Sequence, residues 1–288
     1  MILGASTEWN EFQLEDCVKQ AISYNADTFM FYSGEPTTSI RRTIKPEATR
    51  SALKLMLEND IDINNVICHA GFLINLANKD EQKWDFSINF LKKEIDRANE
   101  LGVTKLVLHP GSSVKYSKEE GLQNIIDGLN IVIKESDKVM ILLETMSGKG
   151  TERASTIEEM ATIFNGLKYP NKAGVCLDTC HIHDAGYDLV KFDEYLDKFD
   201  SLIGLKHIKC IHINDSKNDK GSHKDRHENY GFGTIGFETL LKISQNPKLK
   251  DVPQILETPW INDKPPYKTE IQMIRDKKFN NSIRNLEI

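Results

Sequence analysis

Six residues able to hold a metal ion close six short apolar runs of this chain. Val66-Ile67-Cys68 leads into His69, Leu106-Val107-Leu108 into His109, and Ile141-Leu142-Leu143 into Glu144. Val175-Cys176-Leu177 leads into Asp178, Lys209-Cys210-Ile211 into His212, and Gln254-Ile255-Leu256 into Glu257. A single His or Asp after a strand commonly does no more than start a loop. Six in succession, about 35 to 45 residues apart, form a pattern. Imidazole nitrogen and carboxylate oxygen together suit zinc, and also manganese or iron. Carboxylates brought this close would repel and resist ionising unless cations sat among them. Two further clusters extend the set. In Asp178-Thr179-Cys180-His181 a histidine follows three residues after a strand-end carboxylate, in an expected loop, and Asp225-Arg226-His227 lies in the polar stretch after His212. That is more ligands than one tetrahedral site uses, so a multinuclear centre is expected. Two metals ~3.5–4 Å apart commonly clamp a phosphodiester and generate hydroxide at neutral pH.

For distant residues to meet, the elements between them must repeat. Eight apolar runs rich in β-branched residues do so: Ile2–Ala5, Thr28–Tyr32, Asn65–Cys68, Lys105–Leu108, Val139–Leu143, Ala173–Leu177, Ile208–Ile211 and Gln254–Leu256. Helical patterns lie between them. Ser117-Lys118-Glu119-Glu120 and Ser155-Thr156-Ile157-Glu158 fit the Ser-x-x-Glu capping box. Glu81–Leu101 sets Ile88, Leu91, Ile95 and Ala98 at helical spacing, with Gly102 as a stop. Eight strands alternating with helices predict an α/β fold, a (β/α)8 TIM barrel in which all strand C-termini share one mouth. The alternative, a doubly wound dinucleotide fold, wants G-x-G-x-x-G after the first strand, and none is there. With no linker to divide it, the chain is expected to be a single domain over residues 1–288.

Composition narrows the function classes. With 37 basic and 43 acidic side chains the formal charge is −6, which alone argues against nucleic acid as a partner. No apolar stretch approaches the ~18 residues of a membrane span, and the N-terminus lacks the basic region of a signal peptide. The five scattered cysteines fit a reducing cytoplasm better than a disulfide scaffold.

At these residues the chain closely resembles the endonuclease IV family, the trinuclear-zinc apurinic/apyrimidinic endonucleases. The resemblance rests on Leu177-Asp178-Thr179-Cys180-His181 with Ala185-Gly186-Tyr187-Asp188, His212-Ile213-Asn214-Asp215, Asp225-Arg226-His227, Leu143-Glu144-Thr145 with Gly148-Lys149-Gly150, His109-Pro110-Gly111, and Ile255-Leu256-Glu257-Thr258. It implies three Zn2+ ions: one on His69 and His109, with Glu144 bridging to a second on Asp178, His212 and Glu257, and a third on His181, Asp225 and His227. It implies zinc-activated hydroxide cutting the phosphodiester 5′ to abasic sites in double-stranded DNA, leaving 3′-hydroxyl and 5′-deoxyribose phosphate, with 3′-end cleaning as well. Glu144, Asp178 and Glu257 would be the catalytic carboxylates and the enzyme a monomer. Three Zn2+ would also offset the formal −6, which removes the charge objection to DNA.

The same resemblance points to DNA contacts. Phe72-Leu73 stands where the family carries an aromatic-leucine wedge, and residues 33–42 stand where it carries a DNA-penetrating loop. That loop offers Glu35 and Thr37 in place of larger amide or basic side chains, with Arg41 and Arg42 as phosphate contacts. Arg226, between two ligands, is a further phosphate contact. His207, Trp9 and Trp84 are expected to be packing residues, Cys176 to pack in the barrel, and Asn214–Lys224 to be a solvated loop. The main competing reading is a metal-dependent sugar isomerase or epimerase on the same barrel. Such enzymes need only one or two metals, so Asp225, His227 and His181 argue against it. A non-catalytic zinc-dependent DNA-binding protein is a second alternative.

Overall fold

The computed structural model describes residues 1–285. Eight parallel strands close a barrel: β1 (Ile2–Thr7), β2 (Thr28–Tyr32), β3 (Ile67–His69), β4 (Lys105–Leu108), β5 (Met140–Glu144), β6 (Ala173–Asp178), β7 (Ile208–His212) and β10 (Pro253–Leu256). Between β7 and β10 a small antiparallel ribbon pairs β8 (Asp215–Ser216) with β9 (His227–Glu228). Every expected apolar run is a barrel strand, shifted at its ends by a few residues at most.

The register explains why the strand ends converge. Tyr32 pairs with His69, Glu144 with Cys176, Asp178 with His212, and His212 with Ile255. The potential ligands therefore lie on one rim. Beneath them Met30, Ile67, Val107, Leu142, Cys176, Cys210 and Ile255 point inward and plug the barrel. Each of these side chains is fully buried, so the rim residues stand on a packed floor rather than a pore. A larger apolar shell joins the outer faces of the strands to the surrounding helices.

The helix Glu81–Leu101 runs as expected, started by the Asp80 carboxylate, which accepts from Lys83 N–H. It stops at Gly102, whose φ of 76° suits glycine and lets its N–H reach the carbonyls of Ala98 and Asn99. Ser117 forms the expected capping box with Glu120. The second expected box does not form, and the cap lies one residue later. Thr156, not Ser155, caps the helix Ile157–Gly166 and accepts from Glu159 N–H, while the Glu159 carboxylate accepts from Ser155 N–H. No helix among the described residues is long and apolar enough to cross a membrane.

Candidate metal centre

Glu144 is the hub of the rim. Its Oε2 lies 2.9 Å from His109 Nε2 and 3.2 Å from His69 Nε2, and its Oε1 lies 3.0 Å from His212 Nδ1. His69, His109 and Glu144 form one group whose donor atoms all lie within 4.8 Å of one another. Glu144, Asp178, His212 and Glu257 form a second, and Asp178, His181 and His227 a third. Asp225 joins the third: its Oδ1 is 3.0 Å from His181 Nε2 and 3.7 Å from His227 Nε2. Glu144 belongs to two groups and Asp178 to two, so the three merge into one polar patch. All nine residues singled out as ligands meet here, with Asp178 reaching further than its sequence position implied.

Neighbouring groups fix the ligand atoms in place. His69 Nδ1 is 2.8 Å from the Ala70 carbonyl, His181 Nδ1 is 2.8 Å from the Thr145 carbonyl, and His227 Nδ1 is 3.2 Å from the Glu257 carbonyl. Each backbone acceptor engages Nδ1 and turns Nε2 toward the patch. Asp178 caps the helix Thr179–Asp184, accepting from His181 N–H at Oδ1, which leaves Oδ2 for the patch. His181 therefore sits in the first turn of a helix, where a loop was expected. Its position follows from Asp178 serving as both cap and potential ligand. Asp225 takes a left-handed φ of 56°, held there because the buried Asp184 carboxylate accepts from its N–H at 2.9 Å.

The electrostatics demand positive charge. Burial would raise the Glu144 carboxyl, but the neighbouring His212 and His109 hold it well below the usual range. Burial likewise opposes ionisation of Glu257 and Asp225, yet His212 and His181 respectively hold them down to about 2. Burial alone would lower His181 and His212, but Asp178 and Asp225 beside His181, and Cys176, Glu257 and Glu144 beside His212, raise both well above the ordinary imidazole value. Carboxylates kept ionised in an enclosed site need counter-charge, which the facing imidazoles supply here and bound cations would supply as well. The donor set fits such ions. His227 Nε2 is buried without a hydrogen-bond partner and lies 3.5 Å from Asp178 Oδ2. A bare ring nitrogen between two carboxylates fits the donor chemistry of a coordination position.

Two residues that contribute here were overlooked in the sequence. Asn214 Nδ2 donates to Asp178 Oδ2 at 2.9 Å and to Glu257 Oε2 at 3.4 Å, while its Oδ1 accepts from Glu257 N–H at 2.8 Å. It orients two carboxylates at once. Its position two residues after His212 puts it on the same face, which was the available signal. The expectation of a solvated loop fails from Asn214 to Ser216, which are fully buried. Tyr32 ends β2 with its ring centroid 4.7 Å from that of His69. A tyrosine at a strand end carries no metal-ligand signal in the sequence.

Around the mouth, Phe72 and Leu73 are 47% and 43% exposed. The Phe72 ring packs at 5.4 Å from both Tyr32 and His109, so it stands beside the metal-type groups with one face free. Arg226 and Arg42 are exposed, and Arg42 lines a groove of about 790 Å³ with Lys45 and Asn10. Arg41 is a correction. Its side chain is 0% exposed and pairs with the buried Glu94, Nε to Oε1 at 2.8 Å. Its Nη1 donates to the carbonyls of Glu35, Thr38 and Ile40, and its guanidinium stacks 4.9 Å from the Phe90 centroid. With its donors spent inside, it cannot bind phosphate and instead pins the 33–42 loop. Arg97 assists, donating to Ser33 Oγ and to the carbonyls of Ser33 and Arg42. His207 packs against Phe164, Trp9 stacks on Phe31, and Trp84 Nε1 donates to the Leu76 carbonyl, all as packing residues.

Comparison with known proteins places this geometry. Residues 18–277 match the family described as xylose isomerase-like TIM barrel. A probable endonuclease 4 of Acholeplasma laidlawii is 47% identical over 270 residues, covering 93% of this chain and 92% of that protein. The probable endonuclease 4 of Bacillus subtilis is 44% identical over 272 residues, covering 92% and 91%. The chain belongs to the endonuclease 4 family. The crystal structure of endonuclease IV from Thermus thermophilus superposes with a TM-score of 0.82 at 26% identity, covering 96% of this chain and 98% of that one. A D-tagatose 3-epimerase-like protein shares the fold, with a TM-score of 0.70 at 20% identity and coverage of 96% and 99%. Membership in the endonuclease 4 family thus agrees with the expected TIM barrel and with the resemblance carried by the strand-end residues.

Proposed function

We propose that this endonuclease 4 family member is a DNA-repair phosphodiesterase that cuts double-stranded DNA 5′ to abasic sites and cleans blocked 3′ ends. We further propose that it works with three Zn2+ ions, as a monomer in the cytoplasm. The observation that carries the reading is the merging of three donor groups through Glu144 and Asp178. His69, His109 and Glu144 would hold one ion, Glu144, Asp178, His212 and Glu257 a second, and His181, Asp225 and His227 a third. When bound, the ions supply charge neutralisation for a phosphodiester and acidify water.

The chain's own groups do the rest. An abasic nucleotide must leave the helix to reach a barrel mouth. Phe72 and Leu73 fill the place it vacates in the stack, and Tyr32 and Phe72 wall the space it enters. Arg226 and Arg42 hold phosphates on either side. Asn214 keeps Asp178 and Glu257 facing inward. The Glu257 carboxylate is the acceptor for the proton of attacking water, because its side chain is 16% exposed while those of Glu144 and Asp178 are nearly sealed. Attack at phosphorus breaks the bond to the upstream O3′, giving 3′-hydroxyl and 5′-deoxyribose phosphate. The epimerase reading gains nothing from the shared fold, and it leaves Asp225 and His227 without a use. The test is incision of a duplex carrying one abasic analogue by Glu257→Gln. That variant should bind the duplex and turn over slower by about 10²-fold or more. Wild-type turnover would remove Glu257 from the chemistry.

A further inference from the structure

Beneath the rim lies a second donor set, whose two thiols the hydrolytic reading does not use. Cys176 on β6 and Cys210 on β7 are register partners on adjacent strands, and both are fully buried free thiols. Their sulfurs and a ring nitrogen of His212 all lie within 4.8 Å of one another. The Nδ1 of His212 is occupied on the upper side, 2.9 Å from Glu257 Oε2 and 3.0 Å from Glu144 Oε1. That leaves Nε2, which is buried with no hydrogen-bond partner. The rest of this layer is Met30, Ile67, Val107, Leu142 and Ile255, with no oxygen donor among those side chains. Two sulfurs and one nitrogen in an apolar surround select soft ions over the harder ones that suit the carboxylates above.

We propose that Cys176, Cys210 and His212 Nε2 form a binding site for a soft d10 cation, typified by Cd2+, and that this site competes with the metal centre for His212. Binding is ligation without redox: two S–H bonds are replaced by two S–Cd bonds, two protons leave to solvent, and no electron moves. Two thiolates and one divalent ion sum to zero charge, which an apolar layer tolerates. A neutral imidazole has one lone pair. If Nε2 gives it downward, Nδ1 carries the proton and donates to Glu144 or Glu257, so His212 is lost as an upper ligand. The thiol pair is thus the route by which thiophilic metals would poison the enzyme from inside the barrel.

The test uses the metal-loaded enzyme in excess Zn2+, titrated with 113Cd2+ alone. A thiolate-to-cadmium charge-transfer band should grow to one equivalent, with a 113Cd resonance in the sulfur-ligated range. Incision should fall in step by about tenfold or more, the scale of losing support at one ligand. Cys210→Val and Cys176→Ala should each lose the band and the cadmium sensitivity while keeping zinc content and incision. Cys180→Ala should keep both, which matters because Cys180 also lies near Asp225 and His227. No sulfur-ligated cadmium in the parent would overturn the proposal, as would a band that survives Cys210→Val and Cys176→Ala or disappears in Cys180→Ala.

Discussion

Arg41 and Arg42 are neighbours in sequence, yet their removal should fail in opposite ways. Arg41 is sealed against Glu94, whose side chain is 1% exposed. Arg41→Ala leaves that carboxylate buried without its partner and frees the carbonyls of Glu35, Thr38 and Ile40. Breaking a buried pair by removing one member costs about 3–5 kcal/mol. At roughly 2–4 °C per kcal/mol for a chain somewhat smaller than this one, the melting temperature should drop by about 6–20 °C. Phe72 N–H donates to the Pro36 carbonyl at 2.9 Å, so loosening the 33–42 loop should also weaken DNA binding. Arg42 projects into the groove, and Arg42→Ala should change stability by no more than about 0.5 kcal/mol. Its duplex affinity should fall uniformly across sequences, with the slope of log K against log salt reduced by about 1. Scanning calorimetry and salt-series binding separate the two variants. An Arg41→Ala protein that melts with the parent would refute the strut, and salt-independent loss in Arg42→Ala would refute the phosphate contact.

Three further outcomes follow from the site. The double variant Asp225→Ala, His227→Ala should stay folded, hold one zinc fewer by elemental analysis and cut very slowly, while Arg226→Ala should keep all its metal and lose affinity in a salt-dependent way; an unchanged zinc count in the double variant would dissolve the third group. Phe72→Ala should weaken binding to abasic duplex by ~1–3 kcal/mol with zinc content unchanged, and equal affinity would make Phe72 a packing residue. Glu270 is fully buried, and that burial raises its carboxyl from 4.5 to about 7 even though it accepts hydrogen bonds from Thr258 and Tyr230. A raised folded-state value means its contribution is fully present below about pH 4.5 and is lost as pH rises towards 7. Glu270→Gln should therefore lose less stability than the parent across that interval in denaturant titrations, and parallel pH curves would show that Glu270 does not titrate there.

Much of the centre was legible because the barrel turns strand order into proximity. Glu144, Asp178 and His212 are the last residues of their strands, and His69 is the last of β3, so an apolar run followed by a donor was sufficient signal. What stayed hidden depends on partners distant in sequence. Arg41 reads as a surface base until Glu94, 53 residues away, is brought against it from the helix Glu81–Leu101. Asn214 reads as loop until the Asp178 and Glu257 carboxylates converge on its amide. The slip from Ser155 to Thr156 as cap has a local cause: two hydroxyl residues and two glutamates sit side by side, so Ser155/Glu158 and Thr156/Glu159 offer the same spacing and the sequence alone does not choose between them.

On the proposed function, the three donor groups hold three ions that together cut DNA at abasic sites. The most direct measurement pairs elemental analysis of the purified enzyme with incision of an oligonucleotide duplex bearing one abasic analogue, without added magnesium. About three zinc ions per chain are expected. Cleavage should fall 5′ to the lesion, survive mild EDTA and fade only under prolonged strong chelation. A preparation free of zinc that cuts only when magnesium is supplied would contradict the claim.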